Sequence, residues 1–296
     1  MMIDHAAERL IQIARDCGSA QLVVVQDGES VIDEVFDPNP VDVYAVQKGL
    51  LSLLIGIAEN KYLLEVLDNA SHHLDPKWTQ LSPWDEASLT IECLLTMTTG
   101  MDDLLAPLGE IGRTWRYNNT AYNYLKRMLS TESGLGLNTL TGSWLLEPLA
   151  MNDTTWVERN ERLPDGRAVT ALHSTARDLA KLGMMVLGQG EQLVPGHYIE
   201  RMIQPGSGEN PAWGLCWWNN NQSIYKVPMR EDKSFEGPIL PDAPPDLVAA
   251  RGALENGLYV IPSLSMVVAR TALPRKSAGF EKRFWTELRA SLQAEG

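Results

Sequence analysis

Three cysteines in 296 residues are too few and too widely spaced to form a disulfide framework. Cys17, Cys93 and Cys216 make no CxxC pattern either, so a structural zinc site lacks its usual ligands and buried free thiols are the simpler reading. Positive charge is also scarce: 25 basic against 38 acidic side chains give a formal charge of -13. That balance repels a phosphate backbone and an anionic bilayer alike, so neither nucleic acid nor a membrane is an expected partner. No run of about 18 apolar residues is present. The first residues, Met1-Met2-Ile3-Asp4-His5, lack the basic-then-apolar order of a secretory signal. A cytoplasmic protein is expected, although a chain trimmed of a leader would read the same.

The signatures of several enzyme classes are missing as well. The chain contains no GxGxxG, GxxxxGK[ST], HExxH or GxSxG, which removes the usual support for dinucleotide, P-loop, zincin and α/β-hydrolase readings. Its five histidines, His5, His72, His73, His173 and His197, include no pair at ligand spacing with an obvious third donor. No metal and no organic cofactor is expected.

What is present is the composition of an ordinary globular chain, 44% apolar and 21% charged. Its length suits about two domains. Residues 3–16 carry Ile3, Ala7, Leu10, Ile11 and Ala14 at helical spacing, and a β-branched run at 21–26 is joined through Asp27-Gly28 to a second strand at 30–36. From 45 to 59 the pattern is helical and apolar on most faces, as in a helix buried between layers. Residues 60–195 read as helices and loops, with helical patterns at 89–98, 120–130 and 174–187 and few strand signals. Strand patterns return at 213–218, 258–261 and 265–270, and a last helix is predicted over 281–292. Pro238, Pro241, Pro244 and Pro245 mark a surface connection. The predicted fold class is α+β: an antiparallel sheet flanked by helices, built from residues 1–60 and 195–296, with an all-helical domain, 61–194, inserted between its halves.

The segment Val43-Tyr44-Ala45-Val46-Gln47-Lys48-Gly49-Leu50 puts a lysine at the start of that apolar helix. An unpaired ammonium is costly there and its pKa falls, which is how a lysine becomes a proton acceptor. One turn earlier, beside the positive end of the helix, a nucleophile would be well placed; the residue is Ala45. Alone, Ala-x-x-Lys says nothing about function. It gains weight from segments further along the chain: Leu94-Leu95-Thr96-Met97-Thr98-Thr99-Gly100, Arg116-Tyr117-Asn118-Asn119, Glu147-Pro148-Leu149-Ala150-Met151 and His173-Ser174-Thr175-Ala176-Arg177-Asp178-Leu179-Ala180. Then come Trp213-Gly214-Leu215 and Arg251-Gly252-Ala253-Leu254-Glu255-Asn256. In that order and spacing, from about residue 21 to 270, the chain resembles the serine β-lactamase-like hydrolases, the group of class C β-lactamases, D-alanyl-D-alanine peptidases and related esterases and amide hydrolases.

The resemblance implies that Lys48 is the lysine of S-x-x-K, that Ala45 occupies the nucleophile position, and that Tyr117 and Asn119 form the Tyr-x-Asn pair. In such chemistry the tyrosine, its phenol lowered from roughly 10 by a nearby ammonium, exchanges protons with serine and leaving group. Asn119 would hold the substrate amide or ester. The plainer alternatives are Tyr117 as a half-buried core aromatic and Asn119 as a helix N-cap. Where the family has Lys-Thr-Gly or His-Thr-Gly, this chain has Ala250-Arg251-Gly252, which puts β-lactam carboxylate recognition in doubt. Arg251 either replaces the lost basic residue or is a solvated edge charge. Gly252 keeps a place for close backbone approach, and the amides of Ala253 and Ala45 would form the oxyanion hole. Glu255 and Asn256 are weaker candidates for substrate contact. Trp115, Tyr117, Tyr122, Trp217, Trp218 and Tyr259 read either as a cleft wall for an apolar acyl or aromatic group or as core.

A methyl group cannot form an acyl-enzyme, so this Ala45 form is expected to be inactive in covalent hydrolysis. Retention of Lys48, Tyr117 and Asn119 fits an inactivating Ser→Ala replacement better than a natural pseudoenzyme. The expected parent is a serine hydrolase, an esterase or amidase, of a small-molecule ester or amide. A ligand-binding protein without chemistry and an acyltransferase on the same fold are the alternatives, and oligomeric state is left open.

Overall fold

The computed structural model describes residues 6–190, 192–274 and 279–294; Ile3 and His5 lie outside them. A helix α1, Ala7–Asp16, leads into a hairpin of β1, Ser19–Gln26, and β2, Glu29–Val35. The turn between them is Asp27-Gly28, both with positive φ (52° and 82°), the geometry that matches strand twist in a two-residue hairpin. A short β3, Val41–Asp42, precedes a 3-10 turn, Tyr44–Val46, which runs into α2, Gln47–Asn60. Gln47 through Ala58 are all buried, so α2 is a core helix, as its apolar pattern predicts.

The middle of the chain carries α3, Pro83–Ser88, α4, Ile91–Leu95, α5, Asn119–Ser133, and α6, Leu137–Thr141. It is not wholly helical. Strands β4, Thr155–Arg162, and β5, Ala168–Ser174, form a hairpin that β3 extends to three strands. The strand Thr-Trp-Val-Glu-Arg-Asn-Glu-Arg is mostly exposed and charged, so it lacks the apolar alternation that announces a strand.

Helix α7, Ala176–Leu187, and α8, Gly196–Met202, follow, then β6, Trp218–Asn219, and a small hairpin of β7, Ile224–Tyr225, with β8, Phe235–Glu236. The strand predicted over 213–218 is confined to its end. Gly214 N–H donates to Trp217 O at 2.8 Å and Cys216 has φ 62°, so the chain turns back on itself there. Last come β9, Val248–Arg251, β10, Gly257–Ile261, β11, Met266–Ala272, and α9, Phe280–Ala294.

The main sheet has the order β2-β1-β11-β10-β9-β6 and is antiparallel throughout. Both chain ends build it, as the sequence implies. Successive residues of a strand face opposite ways, and β10 shows what covers each face. Tyr259 packs edge-on against Trp285 of α9, while Leu258 faces Gly183 of α7, where an added Cβ would come within 2.7 Å of it. Helix α7, expected within the inserted segment, therefore packs on the sheet. At the other end of the sheet α2 presses against β9: a Cβ on Gly49 would lie 2.6 Å from Ala250 Cβ. Lys48 is thereby fixed where helix meets strand. No helix among the described residues is long and apolar enough to cross a membrane.

Candidate active site

A cavity of about 930 Å³ opens where the 3-10 turn at Tyr44–Val46, the start of α5, the β4–β5 hairpin and the end of β9 converge. Ala45, Lys48, Tyr117 and Asn119 line it. Arg251, Gly252 and Ala253 line it as well. With Tyr122 and Trp218, which also line it, nine of the residues singled out in the sequence are brought together from four separate stretches.

Local chemistry explains the placement. Tyr44 adopts a left-handed backbone (φ 50°) and its N–H donates to Asp42 Oδ1 at 2.8 Å, turning the chain so that Ala45 enters the 3-10 turn. Gly252 packs directly on that turn: an added Cβ would be 2.4 Å from Val43 O and 3.1 Å from Ala45 N. Ala253 opens a second 3-10 turn, Ala253–Glu255. The first N–H groups of such turns have no acceptor within their own helix, so both amides suit an incoming oxyanion.

Lys48 is 2% exposed. Its Nζ donates to Asn119 Oδ1 at 2.8 Å and lies 4.9 Å and 4.2 Å from the ring centres of Tyr117 and Tyr122. No carboxylate compensates it among the described residues, and burial, aided by Arg159, pushes its pKa down to about 8. Asn119 is free for this contact because its neighbour caps the helix: Asn118 Oδ1 accepts from Ala121 N–H at 2.9 Å. The alternative of Asn119 as N-cap is thereby corrected.

Tyr117 departs from expectation in the opposite sense. Burial holds its phenol above the ordinary value, so Tyr117 enters the site as a neutral O–H group. Cys216, close behind, is pushed up to about 12 by burial and is no nucleophile.

Arg251 is neither a free substitute for the family's basic residue nor a solvated charge. Its Nε donates to Glu281 Oε1 at 2.6 Å and its Nη2 to Glu281 Oε2, while Tyr259 O–H donates to Glu281 Oε1 at 2.7 Å. Burial works against the Arg251 charge, and Glu281 outweighs it. Burial likewise raises the Glu281 carboxyl, but Arg251 and Tyr259 leave it below the usual carboxylate range.

Five other candidates fall outside the cavity lining, among them Tyr259, which is held by Glu281 and Trp285. Glu255 accepts from the N–H groups of Phe280 and Glu281 at 2.9 and 3.3 Å, bracing the start of α9. Buried Asn256 donates to Ala253 O at 2.7 Å and accepts from Ala272 N–H at 2.9 Å, so it supports the oxyanion turn from behind. Trp217 donates to Gly49 O at 3.2 Å, and Trp115 packs among Tyr117, Trp213 and Trp218; both are core.

Sequence reasoning missed the wall made by the β4–β5 hairpin, with Arg159, Arg162 and Thr170. The turn signal Pro164-Asp165-Gly166 was available to find it. It also missed Lys126 of α5, which is 6% exposed directly behind that wall. Its Nζ donates to Gln47 Oε1 and Asn123 Oδ1, both at 3.0 Å, and to Thr170 O and Oγ1 at 2.9 and 3.0 Å. Burial, with the charge of Lys48, lowers its pKa.

The chain also matches a known family. Residues 4–248 match the Beta-lactamase family, and the chain belongs to it. No match was found among curated proteins. Similar solved structures include an octameric penicillin-binding protein homologue from Pyrococcus abyssi, 16% identical, with a TM-score of 0.71 over 100% of this chain and 78% of that one. EstCE1, a hydrolase with promiscuous acyltransferase activity, is 15% identical, with a TM-score of 0.69 over 99% and 100% of the two chains. SurE is 18% identical, with a TM-score of 0.69 over 99% and 76%. At these identities the likeness is one of fold, and the family membership identifies the fold as that of the serine β-lactamase and penicillin-binding-protein hydrolases.

Proposed function

We propose that this is the site of a serine hydrolase that cleaves an ester or amide bond of a small cytosolic molecule through an acyl group on position 45. In the present Ala45 form it binds such a ligand without turnover. The observation that carries the reading is Lys48: a buried ammonium with a pKa of about 8 and one oxygen partner, Asn119 Oδ1, in the wall that also holds Ala45.

With serine at 45, neutral Lys48 would take the Oγ proton as oxygen attacks the carbonyl carbon. The amides of Ala45 and Ala253 would hold the oxyanion. As the tetrahedral intermediate collapses, the proton on Lys48 passes to the leaving group, with the neutral Tyr117 phenol as relay. Water then attacks the acyl carbon as it gives a proton to Lys48, and that proton passes to Ser Oγ as the C–Oγ bond breaks and the acid product leaves. With methyl in place of Oγ the first bond cannot form. The Arg251–Glu281 pair is a second departure from the family pattern, and it favours a ligand that does not need a free cation on β9.

The similarity to EstCE1 supports acyl transfer as a second reading, since the same acyl-serine can be resolved by an alcohol or amine instead of water. The test is Ala45→Ser assayed with short-chain 4-nitrophenyl esters, with and without competing alcohol and amine acceptors. Hydrolysis or acceptor-dependent acyl transfer is expected. Tight binding by both forms with turnover by neither would replace this reading with that of a non-catalytic binding protein.

A further inference from the structure

Two lysines, not one, are buried at this site, and they share an aromatic ring. Lys48 Nζ lies 4.2 Å from the centre of the Tyr122 ring and Lys126 Nζ lies 5.3 Å from it. Tyr122 is itself fixed, its O–H donating to Gln47 O at 3.3 Å. Two ammonium groups this deep, with no carboxylate among the described residues in hydrogen-bond contact with either, cannot both be charged cheaply, and their protons are coupled.

The surroundings of the two nitrogens differ sharply. Lys126 is ringed by four oxygens at 2.9–3.0 Å, from Gln47, Asn123 and Thr170, and stands 4.6 Å from the ring centre of Trp156. Only an ammonium has three protons to offer such a shell; a neutral amine has two and would leave acceptors unmet. Lys48 has the single oxygen of Asn119. We propose that Lys126 is a positioning residue that holds the standing positive charge of a two-lysine pair, so that Lys48 is the member that releases and takes up a proton beside position 45.

The other groups facing the pair do not supply an alternative. Tyr117 and Tyr122 are neutral phenols and Cys216 a neutral thiol. Arg159 of β4 is paired with Asp42 of β3, and Arg251 of β9 with Glu281. Lys126 also ties Gln47, the residue before Lys48, to Thr170 of β5, so it fixes the lysine's position as well as its charge.

The assignment deepens the proposed hydrolase reading, but its test does not need turnover. In the Ala45 protein as it stands, with isotope-labelled lysine, the Nζ and Cε resonances of Lys48 and Lys126 are followed against pH. Burial pushes both nitrogens down, Lys126 well below its ordinary value, and the oxygen shell around Lys126 is expected to outweigh that, so that Lys48 gives up its proton first while Lys126 stays charged. Lys126→Met should move the Lys48 midpoint upward by about one pH unit or more. Lys126→Gln, which keeps a polar side chain, should do the same, and Lys126→Arg should leave the midpoint in place. Loss of the Lys126 proton before that of Lys48, or an unmoved Lys48 midpoint in both neutral variants, overturns the assignment. Failure of Ala45→Ser to react with any ester would remove the hydrolase reading and leave these titrations standing.

Discussion

Lys48 Nζ and Asn119 Oδ1 are 2.8 Å apart, joining the first turn of α2 to the first residue of α5 across 71 positions of sequence. That bond holds a buried amine against the cavity beside Ala45. Its energetic consequence is a lysine that the fold accommodates at a cost.

The cost has a pH signature. Folded Lys48 loses its proton near pH 8, against about 10.5 in the unfolded chain. Below pH 8 the folded state bears the whole penalty, about 3 kcal/mol. Between pH 8 and 10.5 the unfolded chain holds the proton that the folded chain has given up, so this penalty fades as pH rises. Lys48→Met should therefore raise Tm at pH 7, and its advantage should shrink in melts run at pH 9 and 10. An advantage that grows with pH would contradict the burial argument.

Glu281→Gln removes one partner of a largely buried ion pair and also the acceptor for Tyr259 O–H. Denaturant unfolding should show a loss of about 3 kcal/mol. If Arg251 were a substrate-binding cation held in reserve, the same change would leave stability nearly untouched.

Gly252→Ala puts a methyl carbon 2.4 Å from Val43 O in the turn that carries Ala45. The backbone must move, at a cost of about 1–3 kcal/mol, and ligand affinity should fall with it. Calorimetric binding alongside thermal melts separates this from a harmless surface change, in which neither would move.

Cys216 is buried and its thiol is pushed up to about 12, so it should resist iodoacetamide at pH 8 in the folded protein and react once denaturant is added. Rapid alkylation in the native state would contradict the burial of Cys216.

Much of this site is legible in the sequence because it rests on local chemistry. Asp27-Gly28 announces a hairpin, and a lysine opening an apolar run announces a buried amine. Gly252 marks a close approach of backbones. The rest depends on partners far along the chain. Nothing near Arg251 reveals that Glu281, 30 residues on, will neutralise it. Nothing near Asn256 or Glu255 reveals that one braces a turn and the other the start of α9. Lys126 reads as one more charge on an amphipathic helix until Thr170, 44 residues away, closes over it. Tyr117 misleads for a related reason: proximity to an ammonium is visible in the motif, whereas the depth of burial that outweighs it belongs to the tertiary fold.

The most direct measurement is intact-protein and peptide mass spectrometry of Ala45→Ser after brief exposure to an activated acetyl ester at pH 8, with the Ala45 protein as control. A single added acetyl group on residue 45 of the serine form, absent from the control and weaker below pH 7 where Lys48 is protonated, is the expected result. No adduct on the serine form at any pH would contradict the assignment of position 45 as the nucleophile site.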